Sequence, residues 1–212
     1  MSERRADPAA ASASADASAG SLPGSPPGSI RPFYADWAGY NRRTIEGLAR
    51  LTPDDLALLV PAQRDWPGDP WPIWAVAGHT AAMRIFWLCD VFGEPGAEDT
   101  PFEGETPGWE DDLSHPRSAE ELVDAYTTTW RVVEGCLDRW TPASLGTAVR
   151  RPKAGRPDEL HTRQSILLRL MLHETYHLGE INLALGSQGR EPIDLWPGKD
   201  WIEGAPASLR EG

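Results

Sequence analysis

The chain has 212 residues, a formal net charge of −12 and only two cysteines, Cys89 and Cys136. An acidic balance with no basic stripe excludes nucleic acid and anionic membranes as partners, because nothing is available to neutralise phosphates. No apolar run approaches the roughly 20 residues that span a bilayer, and both cysteines fall in helical patterns, so the expectation is a cytoplasmic protein with reduced core thiols.

Met1 to Ser29 is built from Ala, Ser, Gly and Pro with almost no large apolar residue. Such a segment cannot offset its ordering entropy, so residues 1–29 are predicted to be a disordered tail. Residues 30–189 are then left for one folded domain, and 190–212 for an irregular C-terminal tail. Pro32 to Leu51 predicts a first helix, with Phe33, Trp37, Tyr40, Thr44, Leu48 and Leu51 at helical spacing. It stops at Thr52-Pro53, since proline disfavours helix in the residue before it. Asp54 to Val60 allows one short turn. Pro72 suits the first position of a second helix over Ile73 to Phe92. Its inward stripe is Ala75, His79, Ala82 or Met83, Phe86 and Cys89.

Between Asp90 and Asp112 there is no Lys or Arg, while acids recur among Gly and Pro. This predicts a long solvated loop; a lid over a pocket that favours cationic substrates is the alternative. Ser118 with Glu121 forms a capping-box pattern that opens a third helix to about Trp140. Leu122, Ala125 or Tyr126, Thr129, Val132 or Val133, Cys136 and Leu137 face inward. Thr147 to Thr162 is polar, with room for a brief extended piece. The fourth helix is Arg163 to Gly186. Beyond it, Ile193 to Trp201 is expected to fold back through Leu195, Trp196 and Trp201. Ten tryptophans are many for this length, and several, Trp66, Trp71, Trp74, Trp109, Trp196 and Trp201 among them, fall near helix ends and loops. There they can line a pocket or staple a loop; ordinary packing is the alternative.

The fourth helix carries an apolar stripe through Ile166, Leu170, His173, His177, Ile181 and Ala184. Two imidazoles one turn apart interrupt it, and neighbours at i and i+4 can reach one ion. Burying both without partners costs about 1–3 kcal/mol each. A shared divalent metal removes that cost; a hydrogen-bonded structural pair is the alternative. His79, on the apolar face of the second helix, supplies the third ligand the pair lacks. His115 and His161 lie off any apolar stripe and are expected to be solvated. Glu174, about 100° from His173 around the helix, is expected to face a neighbouring helix or solvent rather than to act as a base. Glu180, one turn after His177, is placed to orient a ligand or line the pocket. Gly179 in mid-helix suggests a close approach of another helix or room for a substrate.

Residues 173–177, HETYH, match the HExxH of zinc peptidases. The extended form fails, since Gly179 is one residue early and Leu183 stands where a third His is required. The larger match is HETYHLGEINLAL after an aliphatic run, together with Trp71-Pro-Ile-Trp-Ala-Val-Ala-Gly-His79. These resemble the final and second helices of the DinB-like (DinB/YfiT-like) superfamily. The resemblance implies an all-α four-helix bundle, frequent homodimers, and a divalent metal, zinc or nickel, held by His79, His173 and His177. It also implies an enzyme that activates a low-molecular-weight thiol such as mycothiol or bacillithiol for transfer to a small-molecule electrophile. Three histidines leave an ion an open position, the layout of a catalytic site. Two rivals remain: a non-catalytic metal-binding or stress-response protein, and a hydrolase that uses bound water. Pro72, the acidic loop and the Trp-rich tail depart from the family pattern and leave the substrate open.

Overall fold

The structure, a computed structural model, describes residues 28–61, 69–102 and 112–196. The expectations for residues 1–27, for Trp66 and Trp109, for the acids at 103–111 and for the tail from 197, Trp201 included, lie outside the described residues. The chain is mostly helical: α1 is Ala35–Leu48, α2 Pro53–Leu56, α3 Ile73–Ile85, α4 Ala119–Arg139 and α5 Arg163–Ser187. The one sheet among the described residues is an antiparallel pair, β1 Ala148–Arg151 and β2 Glu159–Thr162, in which Val149 faces His161.

The helix starts follow from local chemistry. Ser118 accepts from the Glu121 amide while the Glu121 carboxylate accepts from the Ser118 amide, at 3.2 and 2.8 Å. Thr162 caps α5 through Ser165 in the same reciprocal way, and Thr52 caps α2 through Asp55. Each box satisfies two amides that a bare helix end would leave unpaired. Every residue expected to face inward on α4 is buried.

Two apolar stripes are corrected by tighter or looser turns. Arg31–Tyr34 forms a 3-10 turn ahead of α1, and its three-residue period rotates Phe33 out of the stripe, leaving it 75% exposed. Trp37, Thr44 and Leu48 remain buried, and Leu51 lies beyond the helix end. After α3 the chain continues as a π-helical segment, Phe86–Val91, with one extra residue per turn. That shift buries Trp87 and Leu88 in place of the expected Phe86 and Cys89, which are half-buried. Among the described residues no helix approaches Gly179: a Cβ there would meet nothing within 4 Å.

Helix α3 packs against both α4 and α5, and α1 packs on α4. One part of the core gathers Leu48, Ile73, Ala77, Leu122, Ile181 and Leu185. The other gathers Trp37, Leu88, Val133, Leu137, Trp140, Ile166 and Leu170. Each such buried aliphatic side chain contributes about 1.5–3 kcal/mol. After α5 the chain folds back: the Ile193 amide donates to Asn182 Oδ1 and its carbonyl accepts from Asn182 Nδ2, at 2.8 and 2.9 Å. Trp196 meets the Tyr40 ring edge-on at 5.6 Å. Among the described residues, no helix is long and apolar enough to cross a membrane.

Candidate metal centre

The α3–α5 contact brings three imidazoles to one point. His173 and His177 share a face of α5 because they are one turn apart, and α3 presents His79 opposite. His79 Nε2 lies 3.2 Å from His173 Nε2, and His177 Nε2 lies 3.1 Å from the same atom. One ligand nitrogen from each of the three residues falls within 4.8 Å of the others, and all three rings are half-buried. Trp71 meets the His79 ring edge-on at 5.7 Å. Behind His177, Glu180 Oε2 sits 2.7 Å from Nδ1.

Burial, with the nearby His177, pushes the His79 pKa down to about 4. Burial, then His177, His79 and Arg169, take His173 to about 3 against an upward pull from Glu180. Both rings are therefore neutral at pH 7. His177 meets Glu180 through Nδ1 and turns its Nε2 to the other two rings. The three Nε2 atoms then make two close contacts through His173, and protons cannot satisfy both. His173 Nε2 carries either one proton or one lone pair, so it serves one of the two contacts and leaves the other unmet. A cation accepted by all three lone pairs removes the conflict. The spacing suits it, since two nitrogens each about 2.0–2.1 Å from one tetrahedral ion lie about 3.3 Å apart. The buried His173 Nδ1 has no hydrogen-bond partner among the described residues, so what fixes this ring lies on its Nε2 side.

Glu174 points elsewhere. Its Oε1 accepts from Arg84 Nε at 2.7 Å and its Oε2 from Trp37 Nε1 at 2.9 Å. Both oxygens are committed to structure, so the general-base role of a peptidase HExxH is not served. His115 is exposed and bonded to Asp112. His161 corrects the sequence expectation: it is buried on β2, edge-on to Trp87 at 4.7 Å and 3.1 Å from Glu159 Oε2. Strand pairing with Val149 turns it inward, a contact no helical stripe could signal. Burial and the neighbouring acids push the Cys89 thiol up to about 11, and burial raises Cys136 further. Neither is a thiolate at neutral pH.

Three residues around the centre escape a reading of apolar stripes. Arg84 is fully buried, its guanidinium 5.0 Å from the Tyr126 ring and 5.6 Å from Trp130. Its signal was available: it is the one Lys, Arg, Asp or Glu in the run Ile73 to Cys89, and a lone cation there needs a carboxylate. Arg169 stands one turn before His173 with its guanidinium 4.8 Å from the Trp87 ring. Tyr176 is half-exposed, its ring 5.2 Å from that of His177.

A family model described as the DinB superfamily matches residues 40–181. Among solved structures, the chain is similar to a DinB-like protein from Bacillus cereus ATCC 10987. That likeness has a TM-score of 0.58 at 23% identity, covering 80% of this chain and 99% of that one. It bears on the fold alone. A comparison with curated proteins found no match.

Proposed function

This chain belongs to the DinB superfamily, and from that premise we propose that it is a metal-dependent thiol S-transferase. His79, His173 and His177 hold a divalent ion, zinc or nickel, on a four-helix bundle made by α1, α3, α4 and α5. The observation that carries the reading is the meeting of three imidazole Nε2 atoms, two pairs of them at 3.1–3.2 Å, in an arrangement that protons cannot satisfy. Imidazole donors suit either metal. When bound, the ion acts as a Lewis acid that lowers the pKa of a thiol, so that a thiolate is available at neutral pH.

The protein's own groups do the rest. Glu180 fixes the His177 tautomer and keeps its Nε2 turned to the site. Trp71 meets the His79 ring edge-on and limits how far it swings. The Arg84–Glu174 pair and the Trp37 bond tie α5 to α3 and α1, which holds His173 at its station. The nucleophile comes from outside, because Cys89 and Cys136 are protonated at neutral pH and neither is among the three ligands. The thiol and its small-molecule electrophile therefore arrive together at the α3–α5 seam. A cytoplasmic setting and a homodimer complete the proposal.

The test is metal content and thiol consumption on purified protein. Close to one divalent ion per chain, lost in His79→Ala, with thiol consumed only when an electrophile is present, supports the transferase. Turnover of an ester or amide panel without thiol replaces it with a hydrolase. Bound metal without turnover in either assay makes the protein a binding module.

A further inference from the structure

Arg169 differs from the other arginines around the centre. Arg84 is paired with Glu174, Arg163 with Glu94, and Arg151 with Glu159. Among the described residues Arg169 has no carboxylate within ion-pair distance; its guanidinium lies over the Trp87 ring at 4.8 Å. Trp87 itself is buried and held by the π-helical segment after α3. Arg151 approaches the same indole at 5.5 Å, from the hairpin side. A guanidinium stacked on a ring keeps its in-plane N–H donors free for a second partner.

The placement is specific to the histidine centre. Arg169, His173, His177 and Glu180 follow one another along a single edge of α5, one turn at a time. The seam is polarised: a cation at its N-terminal end and a carboxylate at its C-terminal end, about 16 Å apart over eleven residues. In a chain of net charge −12, this solvent-exposed cation stands a single turn from the ring of His173.

We propose that Arg169, backed by Trp87, reads a carboxylate on the small molecule that enters the His79–His173–His177 centre, one helical turn from the group that meets the imidazoles. The inference rests on the functional reading above for its second half only; carboxylate recognition at Arg169 stands without a metal.

The test therefore has two arms. In the first, the full-length ¹⁵N-labelled protein is stripped with chelator and titrated with propionate or with propionamide. The Arg169 Nε–H cross-peak, identified by its loss in Arg169→Gln, is expected to shift saturably with propionate alone. In the second, cobalt(II)-loaded protein is titrated with 3-mercaptopropionate and 2-mercaptoethanol and followed by visible absorption. The acid is expected to bind about tenfold tighter, as one charge-assisted contact allows. Arg169→Gln should erase that preference, and Arg169→Lys should keep part of it. Absence of a saturable shift, an equal shift with propionamide, or a preference that survives Arg169→Gln overturns the inference. If cobalt does not bind while propionate still shifts Arg169, the metal reading fails and the anion site stands.

Discussion

Glu174 and Arg84 meet at 2.7 Å with side chains only 15% and 1% exposed, and the residue preceding Glu174 is the central histidine of the candidate metal site. An ion pair this deep is held by mutual need. Removing one partner leaves an uncompensated charge in the core, at a cost of about 3–5 kcal/mol. Arg84→Leu should therefore lower the urea midpoint sharply, and Arg84→Leu with Glu174→Leu should recover much of the loss. Glu174→Gln keeps the Trp37 bond and every imidazole, so it should retain the metal content of the wild type. Loss of the ion in Glu174→Gln would mean that the pair does more than anchor α5.

Glu180 is bonded to His177 Nδ1 at 2.7 Å, which fixes both the tautomer and the plane of that ring. Losing the carboxylate behind a ligating histidine typically lowers metal affinity about 10–100-fold. Glu180→Gln should lower affinity by that factor in competition with a chelator, while His177→Ala should remove tight binding altogether. Equal affinities for wild type and Glu180→Gln would leave the carboxylate only its side-chain hydrogen bond with Tyr176.

The long helices and the three histidines could be read from spacing, because a 3.6-residue period and an i, i+4 pair are local facts. His79 could be added since it is the one imidazole on an apolar face elsewhere in the chain. What spacing could not give is whatever depends on a change of period or on contact between distant elements. Phe33 left its stripe because a 3-10 turn precedes α1, and Trp87 replaced Phe86 because α3 loosens into a π turn. His161 is buried through a strand partner, Val149, twelve residues away. Glu94, one acid among many in a supposedly solvated loop, turns inward to receive Arg139, Trp140 and Arg163. Arg84 was legible in principle, as a lone charge in an apolar run, but its partner was not.

Two glycines make opposite predictions. At Gly179 nothing lies within 4 Å of an added Cβ, so Gly179→Ala should stabilise α5 by about 1 kcal/mol through helix propensity alone. At Gly47 an added Cβ would meet Ile193 Cγ2 at 2.5 Å and its Cβ at 3.0 Å. That overlap, costing about 1–3 kcal/mol, outweighs the same propensity gain and should prise the segment around Ile193 off α1. Thermal melts and limited proteolysis after α5 read both effects. Combining Gly47→Ala with Ile193→Ala should cost less than the sum of the two singles, since each removes the other's obstacle.

The last prediction concerns acid. Glu94 Oε1 accepts from Trp140 Nε1 at 2.7 Å and from Arg163 at 3.1 Å, and its Oε2 accepts from Arg139 at 2.8 Å. One carboxylate thus joins the chain after α3 to the ends of α4 and α5. Burial by itself raises its pKa, but the hydrogen bonds from Arg139 and Trp140 and the charges of Arg139 and Arg163 outweigh burial and hold it below the usual glutamate value of 4.5. A carboxyl depressed in the folded state takes its proton first in the unfolded chain. Its contribution is therefore complete above pH 4.5 and is lost as the pH falls through its lower folded value. Glu94→Gln should cost about 1–3 kcal/mol at pH 7, where a charged acceptor is exchanged for a neutral one. It should also flatten the fall in stability below pH 4.5, because glutamine has no proton to take up. Urea unfolding free energies at a series of pH values measure both. An acid limb as steep in Glu94→Gln as in the wild type would assign acid sensitivity to other carboxylates, and Glu94 would keep only its role as a clamp.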